Sequence, residues 1–135
     1  MNTYQIFKLL ALRQKLRKRY KWTRKELEQY QGKALRDLRK FAYSNSPFYK
    51  KFHDGFMDRP LEELPILSKT ELMKHWDELV TNRSVKLADV QDFLKHLRRN
   101  ELFRNKYYVS STAGSTGLRG VLIYDLEEWM TVLAS

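Results

Sequence analysis

Apolar positions along the first 45 residues recur every three or four places, and the pattern changes character only near the end of the chain. Ile6, Leu9, Leu10, Leu16 and Tyr20 keep helical spacing, with Lys8, Arg13, Lys15, Arg17, Lys18 and Arg19 between them, which predicts a helix over 4–20. Thr23 followed by Glu26 is a capping box that opens a second helix. Its stripe of Leu27, Tyr30, Ala34, Leu35, Leu38, Phe41 and Ala42 marks one face for burial. Gly32 weakens that helix by about 1 kcal/mol relative to alanine, so it leans on packing. Ser44-Asn45-Ser46-Pro47 ends it, because proline disfavours helical geometry in the residue before it. Phe48, Tyr49, Phe52, Phe56 and Met57 then read as an aromatic cluster in a short connector.

Ser68 with Glu71 predicts a second capping box, starting one helix that carries Leu72, Met73, Trp76, Leu79 and Val80. Asp89 is the expected start of a further helix bearing Val90, Phe93, Leu94 and Leu97. Residues 107–110 and 121–124 read as two short strands around a glycine-containing loop. Asp125 with Glu128 caps a last helix over 126–134, with Trp129 expected to anchor it against the strands. Trp22 and Trp76 read as packing residues. The expected fold is therefore mainly α with a short β-strand pair, divided into a helical region, 1–106, and a strand–loop–strand–helix unit, 107–135. Two strands alone do not make a stable sheet. Either they pack on the helices or they join further strands past Ser135; the second is the expectation, with the chain the truncated start of a larger α/β domain.

Composition and charge narrow the possibilities. The chain has no cysteine, which excludes disulfides, thiolate metal sites and cysteine nucleophiles. No apolar run approaches the roughly 20 residues that span a bilayer, and no signal peptide is evident, so a cytoplasmic location is expected. His53, His75 and His96 lack ligand-like spacing. The net charge is +10, and it is uneven. Residues 1–51 hold 15 Lys/Arg against Glu26, Glu28 and Asp37, a balance of +12; the rest carries 11 Lys/Arg and 13 acids, a balance of −2. Such asymmetry suits an anionic partner, nucleic acid or an anionic membrane surface, for the N-terminal helices; it also suits solvated basic faces.

The chain holds five glycines, and three of them, Gly114, Gly117 and Gly120, fall at even intervals between the two strands. The phosphate loop G-x-x-x-x-G-K-[ST] fails because Leu118 follows Gly117, and the G-x-G-x-x-G spacing fails as well. Phosphate chemistry still fits. Glycines let a backbone approach an anion closely and turn successive N–H groups toward it. Ser111, Thr112, Ser115 and Thr116 supply hydroxyls, and Arg119 supplies a charged fork. An ordinary hairpin loop would use the same residue types.

Thr112-Ala113-Gly114-Ser115-Thr116-Gly117 resembles the T/S-S-G-T/S-T-G loop of the adenylate-forming acyl- and aryl-CoA synthetases. Ser46-Pro47-Phe48-Tyr49-Lys50-Lys51-Phe52 and Leu64-Pro65-Ile66-Leu67-Ser68-Lys69-Thr70-Glu71-Leu72 are similar to upstream segments of the phenylacetate–CoA ligase-like branch. That branch includes relatives in capsule synthesis and in deazaflavin cofactor synthesis. The resemblance implies the N-terminal part of the large α/β domain of such an enzyme. It implies use of ATP and Mg2+ to adenylate a carboxylate substrate, commonly followed by transfer to coenzyme A. It also implies phosphate contacts at Thr112, Gly114, Ser115, Thr116 and Gly117. Ala113 stands where the family has serine, and Leu118-Arg119-Gly120 replaces a lysine-containing segment, which leaves Arg119 as the nearby cation. The family's catalytic residues would lie beyond residue 135, so no turnover is expected of this chain alone. The alternative is a small basic helical protein, binding nucleic acid through cations interleaved with Tyr20 and Trp22 or a membrane through Ile6, Phe7, Leu9 and Leu10.

Overall fold

The computed structural model describes residues 3–99, 101–113 and 118–135. Helix α1 spans Thr3–Lys18 and tightens into a 3-10 turn over Arg19–Lys21. Helix α2, Arg24–Asn45, opens on the expected capping box. The Glu26 carboxylate accepts the Thr23 N–H at 2.7 Å, and the Thr23 hydroxyl accepts the Glu26 N–H. These bonds satisfy two N–H groups that a helix start leaves orphaned, and they hold the Glu26 carboxyl below its usual range.

The apolar stripe of α2 is mostly not buried. Leu38 is 62% and Phe41 55% exposed, and the buried residue of the helix is Arg39. The reason is the size of the partner: the helix packs on α3, Pro47–Phe52, which is too short to cover 22 residues. Arg39 reaches past it, donating from Nη1 to the Arg59 carbonyl at 2.6 Å and from Nη2 to the Phe56 carbonyl. The aromatic segment expected as a connector is thus helical at its start, with Phe48 buried and stacked on Phe52 at 5.1 Å.

Ser46 explains how α3 can be so short and still ordered. It is 1% exposed; its hydroxyl accepts the Tyr49 N–H at 3.3 Å and donates to the Glu78 carbonyl at 3.0 Å. Replacing Ser46 by alanine is expected to cost about 1–2 kcal/mol, read from urea midpoints, because the Tyr49 N–H loses its cap and the partly buried Glu78 carbonyl loses its donor.

His53 follows α3, buried with its ring against Tyr49 at 5.2 Å and Phe52 at 5.6 Å. Burial, and then the charge of Arg39, hold its imidazole below the ordinary 6.5. The unfolded chain therefore takes up this proton first as pH falls. Stability contributed by neutral His53 is intact above pH 6.5 and is lost as pH drops toward the lower folded value. Thermal midpoints between pH 7 and pH 5 are expected to fall, and His53→Phe is expected to flatten that slope.

The predicted single helix after Ser68 is two: α4, Lys69–Lys74, and α5, Trp76–Leu79, separated at His75. Ser68 accepts the Glu71 N–H as expected, but the Glu71 carboxylate does not close the box; it pairs with His75 Nε2 at 3.1 Å. The break lets Trp76 turn inward. Helix α6, Leu87–His96, begins two residues before Asp89. Its cap is remote: Asp77 Oδ1 accepts the Leu87 N–H at 2.8 Å, and Asp89 binds Arg104 instead.

Strands β1, Tyr108–Ser111, and β2, Val121–Tyr124, pair antiparallel from Tyr108 opposite Tyr124 to Ser111 opposite Val121. They lie on the helices, and Met73, Trp76, Val85, Val90, Phe103 and Val121 form the shared core. Helix α7, Leu126–Ala134, opens on the Asp125–Glu128 capping box and buries Met130 and Ala134. Trp129 does anchor it to the sheet, stacked on Tyr108 at 5.1 Å with planes 10° apart. Helix α1 lies along α7, with Lys8 paired to Glu127 on the exposed side. The chain is mainly helical with one two-stranded antiparallel sheet, and among the described residues no helix is long and apolar enough to cross a membrane.

Candidate functional site

The loop between β1 and β2 rests on a tied stem. Past Ser111 the ladder continues one step: the Thr112 N–H donates to the Gly120 carbonyl at 2.9 Å. The Gly120 N–H returns to the Thr112 hydroxyl at 2.9 Å. Lys69, the first residue of α4, enters from the side, donating from Nζ to Thr112 Oγ1 at 3.0 Å and to the Leu118 carbonyl at 2.7 Å. A Cβ at Gly120 would lie 3.3 Å from Lys69 Cε and 3.5 Å from the Thr112 side chain, so the two segments approach closely there.

Two further anchors hold this frame. Trp76 Nε1–H donates to the Val121 carbonyl at 3.0 Å, one residue beyond the stem, and Leu118 packs against the core. The stem thus joins segments 43 to 49 residues apart in sequence.

The chemistry left over at the stem favours an anion. Thr112 Oγ1 accepts two N–H bonds, so its own proton remains available to a third group. Lys69 carries three N–H bonds and spends two of them on the stem. No acidic side chain pairs with Lys69 among the described residues. Its positive charge therefore stands uncompensated at the loop's base, and the donor set fits a phosphate oxygen.

Of the residues singled out from the sequence, Thr112 sits at the centre of this network. Arg119 is exposed, on the wall of a groove of about 550 Å3 shared with Thr70, Met73, Lys74 and Gln91. Gly114, Ser115, Thr116 and Gly117 lie outside the described residues. Arg119 is not the only cation near the loop, as the local sequence suggested; Lys69 is closer to the stem than spacing could reveal. Its one signal was its place in the Ser68-Lys69-Thr70-Glu71 segment, which reads as a helix start.

The basic N-terminal surface is a separate feature. Leu10, Arg13, Gln14, Arg17, Lys18 and Lys21 line a shallow groove of about 750 Å3. Trp22 is already engaged, edge-on to Tyr30 at 5.3 Å, and Arg19 lies 4.3 Å over the Tyr30 ring. Tyr20, 87% exposed, lines the same groove. No protein-family model, curated protein or solved structure matches this chain.

Proposed function

We propose that the chain supplies the N-terminal helical region and the ATP phosphate-binding loop of an AMP-forming ligase of the phenylacetate–CoA ligase-like type. The observation that carries this reading is the stem: Thr112 with a spare hydroxyl proton and Lys69 with a spare N–H and no acidic partner, both beside the ends of the glycine-rich segment. In this reading Thr112 donates to the triphosphate, and Lys69 holds the loop closed while offsetting phosphate charge. Ser115, Thr116 and the backbone at Gly114 and Gly117 contribute the remaining donors, with Arg119 on the outer side. Mg2+ arrives with the triphosphate, since magnesium in such sites is held largely by phosphate oxygens and water. The reaction so served is adenylation of a carboxylate with release of pyrophosphate, followed by acyl transfer to a thiol such as coenzyme A.

The binding comparison that tests it uses Mg–ATP, Mg–tripolyphosphate and AMP with the purified chain. The first two are expected to bind at least about tenfold more tightly than AMP, the worth of one charge-assisted phosphate contact. Equal binding of ATP and AMP, or none, would overturn the reading.

The cationic groove on α1, with exposed Tyr20 in its lining, favours a second reading, a module for nucleic acid or an anionic membrane. A nucleic acid affinity that falls steeply with salt, together with indifference to ATP, would favour that alternative.

A further inference from the structure

Helix α1 turns two unlike surfaces outward. Leu9, Leu12 and Leu16 are its half-buried side, and α7 lies along the helix. The opposite side carries Phe7, Leu10, Gln14 and Arg17, which follow one another three or four residues apart. Leu10, Gln14 and Arg17 share one groove with Lys21 of the next turn. The row begins apolar, with Phe7 69% and Leu10 55% exposed, and Ile6 stands beside them at 43%. It ends cationic, with exposed Arg13 and Lys18 flanking Arg17. The change from apolar to basic therefore runs along the helix axis and not around it.

The charge on this surface is not answered within the chain. The first 25 residues hold nine Lys/Arg and no acid. Arg13, Arg17, Lys18 and Lys21 pair with no carboxylate among the described residues. Nucleic acid would complement the cations with phosphates, but it offers little to the aliphatic side chains of Ile6 and Leu10. A phospholipid surface answers both halves, with anionic headgroups for the cations and acyl chains for the apolar end. Docking on that surface is the mode open to α1, since no described helix is long and apolar enough to cross a membrane.

We infer that α1 docks the chain obliquely on an anionic phospholipid membrane. Phe7 and Leu10 enter the boundary between headgroups and acyl chains, with Ile6 at their edge. Arg13, Arg17, Lys18 and Lys21 stay at the level of the lipid phosphates and carboxylates. Phe7 and Arg17 lie about 15 Å apart along the helix, enough for one end to sit below the headgroups and the other among them. Tyr20, in the same groove as the cations, has the amphipathic ring that favours this interfacial level. The inference rests on the second reading of the α1 surface, narrows its partner to a membrane, and holds whether or not the loop binds ATP.

Co-sedimentation with vesicles tests it, comparing phosphatidylcholine alone with a mixture rich in phosphatidylserine. The full chain is expected to bind the mixed vesicles at least about tenfold more tightly, since each cation near an anionic surface contributes about fivefold. Arg17→Glu with Lys18→Glu is expected to weaken that binding at least about twentyfold. Phe7→Ser with Leu10→Ser, at two exposed positions, is expected to weaken it at least about tenfold while leaving the affinity for a single-stranded oligonucleotide unchanged. Because the chain has no cysteine, an environment-sensitive dye can be attached singly at Phe7→Cys or at Lys18→Cys. On mixed vesicles its emission is expected to shift to the blue at the first site and not at the second. Equal or absent binding to the two vesicles, full binding by the serine variant, or a blue shift no larger at the first site than at the second would overturn the assignment. An oligonucleotide bound where the mixed vesicles are not would also overturn it, and would leave the α1 surface to nucleic acid.

Discussion

Trp76→Ala is expected to lower the unfolding free energy by about 3–5 kcal/mol, the usual cost of emptying a buried large side chain. Trp76 is 2% exposed at the centre of the core, and its indole N–H is the bond that fixes Val121 to the helices. The substitution therefore removes packing and orphans a carbonyl at the first residue of β2. Urea denaturation followed by circular dichroism reads the stability. Trp76→Phe separates the two contributions: it is expected to recover most of the packing while still leaving the Val121 carbonyl unpaired, at a cost of about 1–3 kcal/mol. A Trp76→Ala loss below about 1 kcal/mol would mean the strands are held by something other than this contact.

Lys69→Met is expected to weaken Mg–ATP binding about 10- to 100-fold and to lower stability by about 1–2 kcal/mol, because methionine keeps most of the apolar stem but removes the charged donor and its two bonds to the stem. Thr112 provides the matching pair. Thr112→Ser retains the hydroxyl that receives the Gly120 and Lys69 donors, whereas Thr112→Val leaves both without an acceptor at that atom. The valine variant is expected to bind about tenfold more weakly than the serine variant. Isothermal titration with the parent and three variants reads both effects. Unchanged affinity in Lys69→Met would remove the lysine from the site and return the burden to Arg119.

What was legible in the sequence, and what was not, divides along the range of the interactions. Thr23–Glu26 and Asp125–Glu128 are capping boxes closed within four residues, so they can be read from the residues alone, and the helix bounds follow. The strand pair and the Trp129 anchor are nearly as local. The failures involve partners outside the motif that was read. Glu71 has two partners within reach, and the His75 imidazole takes its carboxylate, so the box at Ser68 stays half closed. The start of α6 is set by Asp77, ten residues earlier, and not by Asp89, which Arg104 occupies. Arg104 and Asn105 turn the chain with positive φ and no glycine, at a Phe103–Tyr107 bridge that no turn signal announced. The stripe of α2 has helical period but too little protein opposite it; periodicity tells which face is apolar and not what covers it.

The candidate site follows the same rule. Thr112 and the glycines stand out by their local composition, whereas Lys69 reaches the loop across 43 residues and becomes visible only when the chain is folded.

The most direct measurement is an amide NMR titration of the whole chain with Mg–ATP. The account predicts saturable shifts for the backbone at 112–120 and for the Lys69 side chain, with α1 and α2 unmoved. Silence at 112–120 under saturating nucleotide, or shifts gathered on the cations of α1, would contradict it.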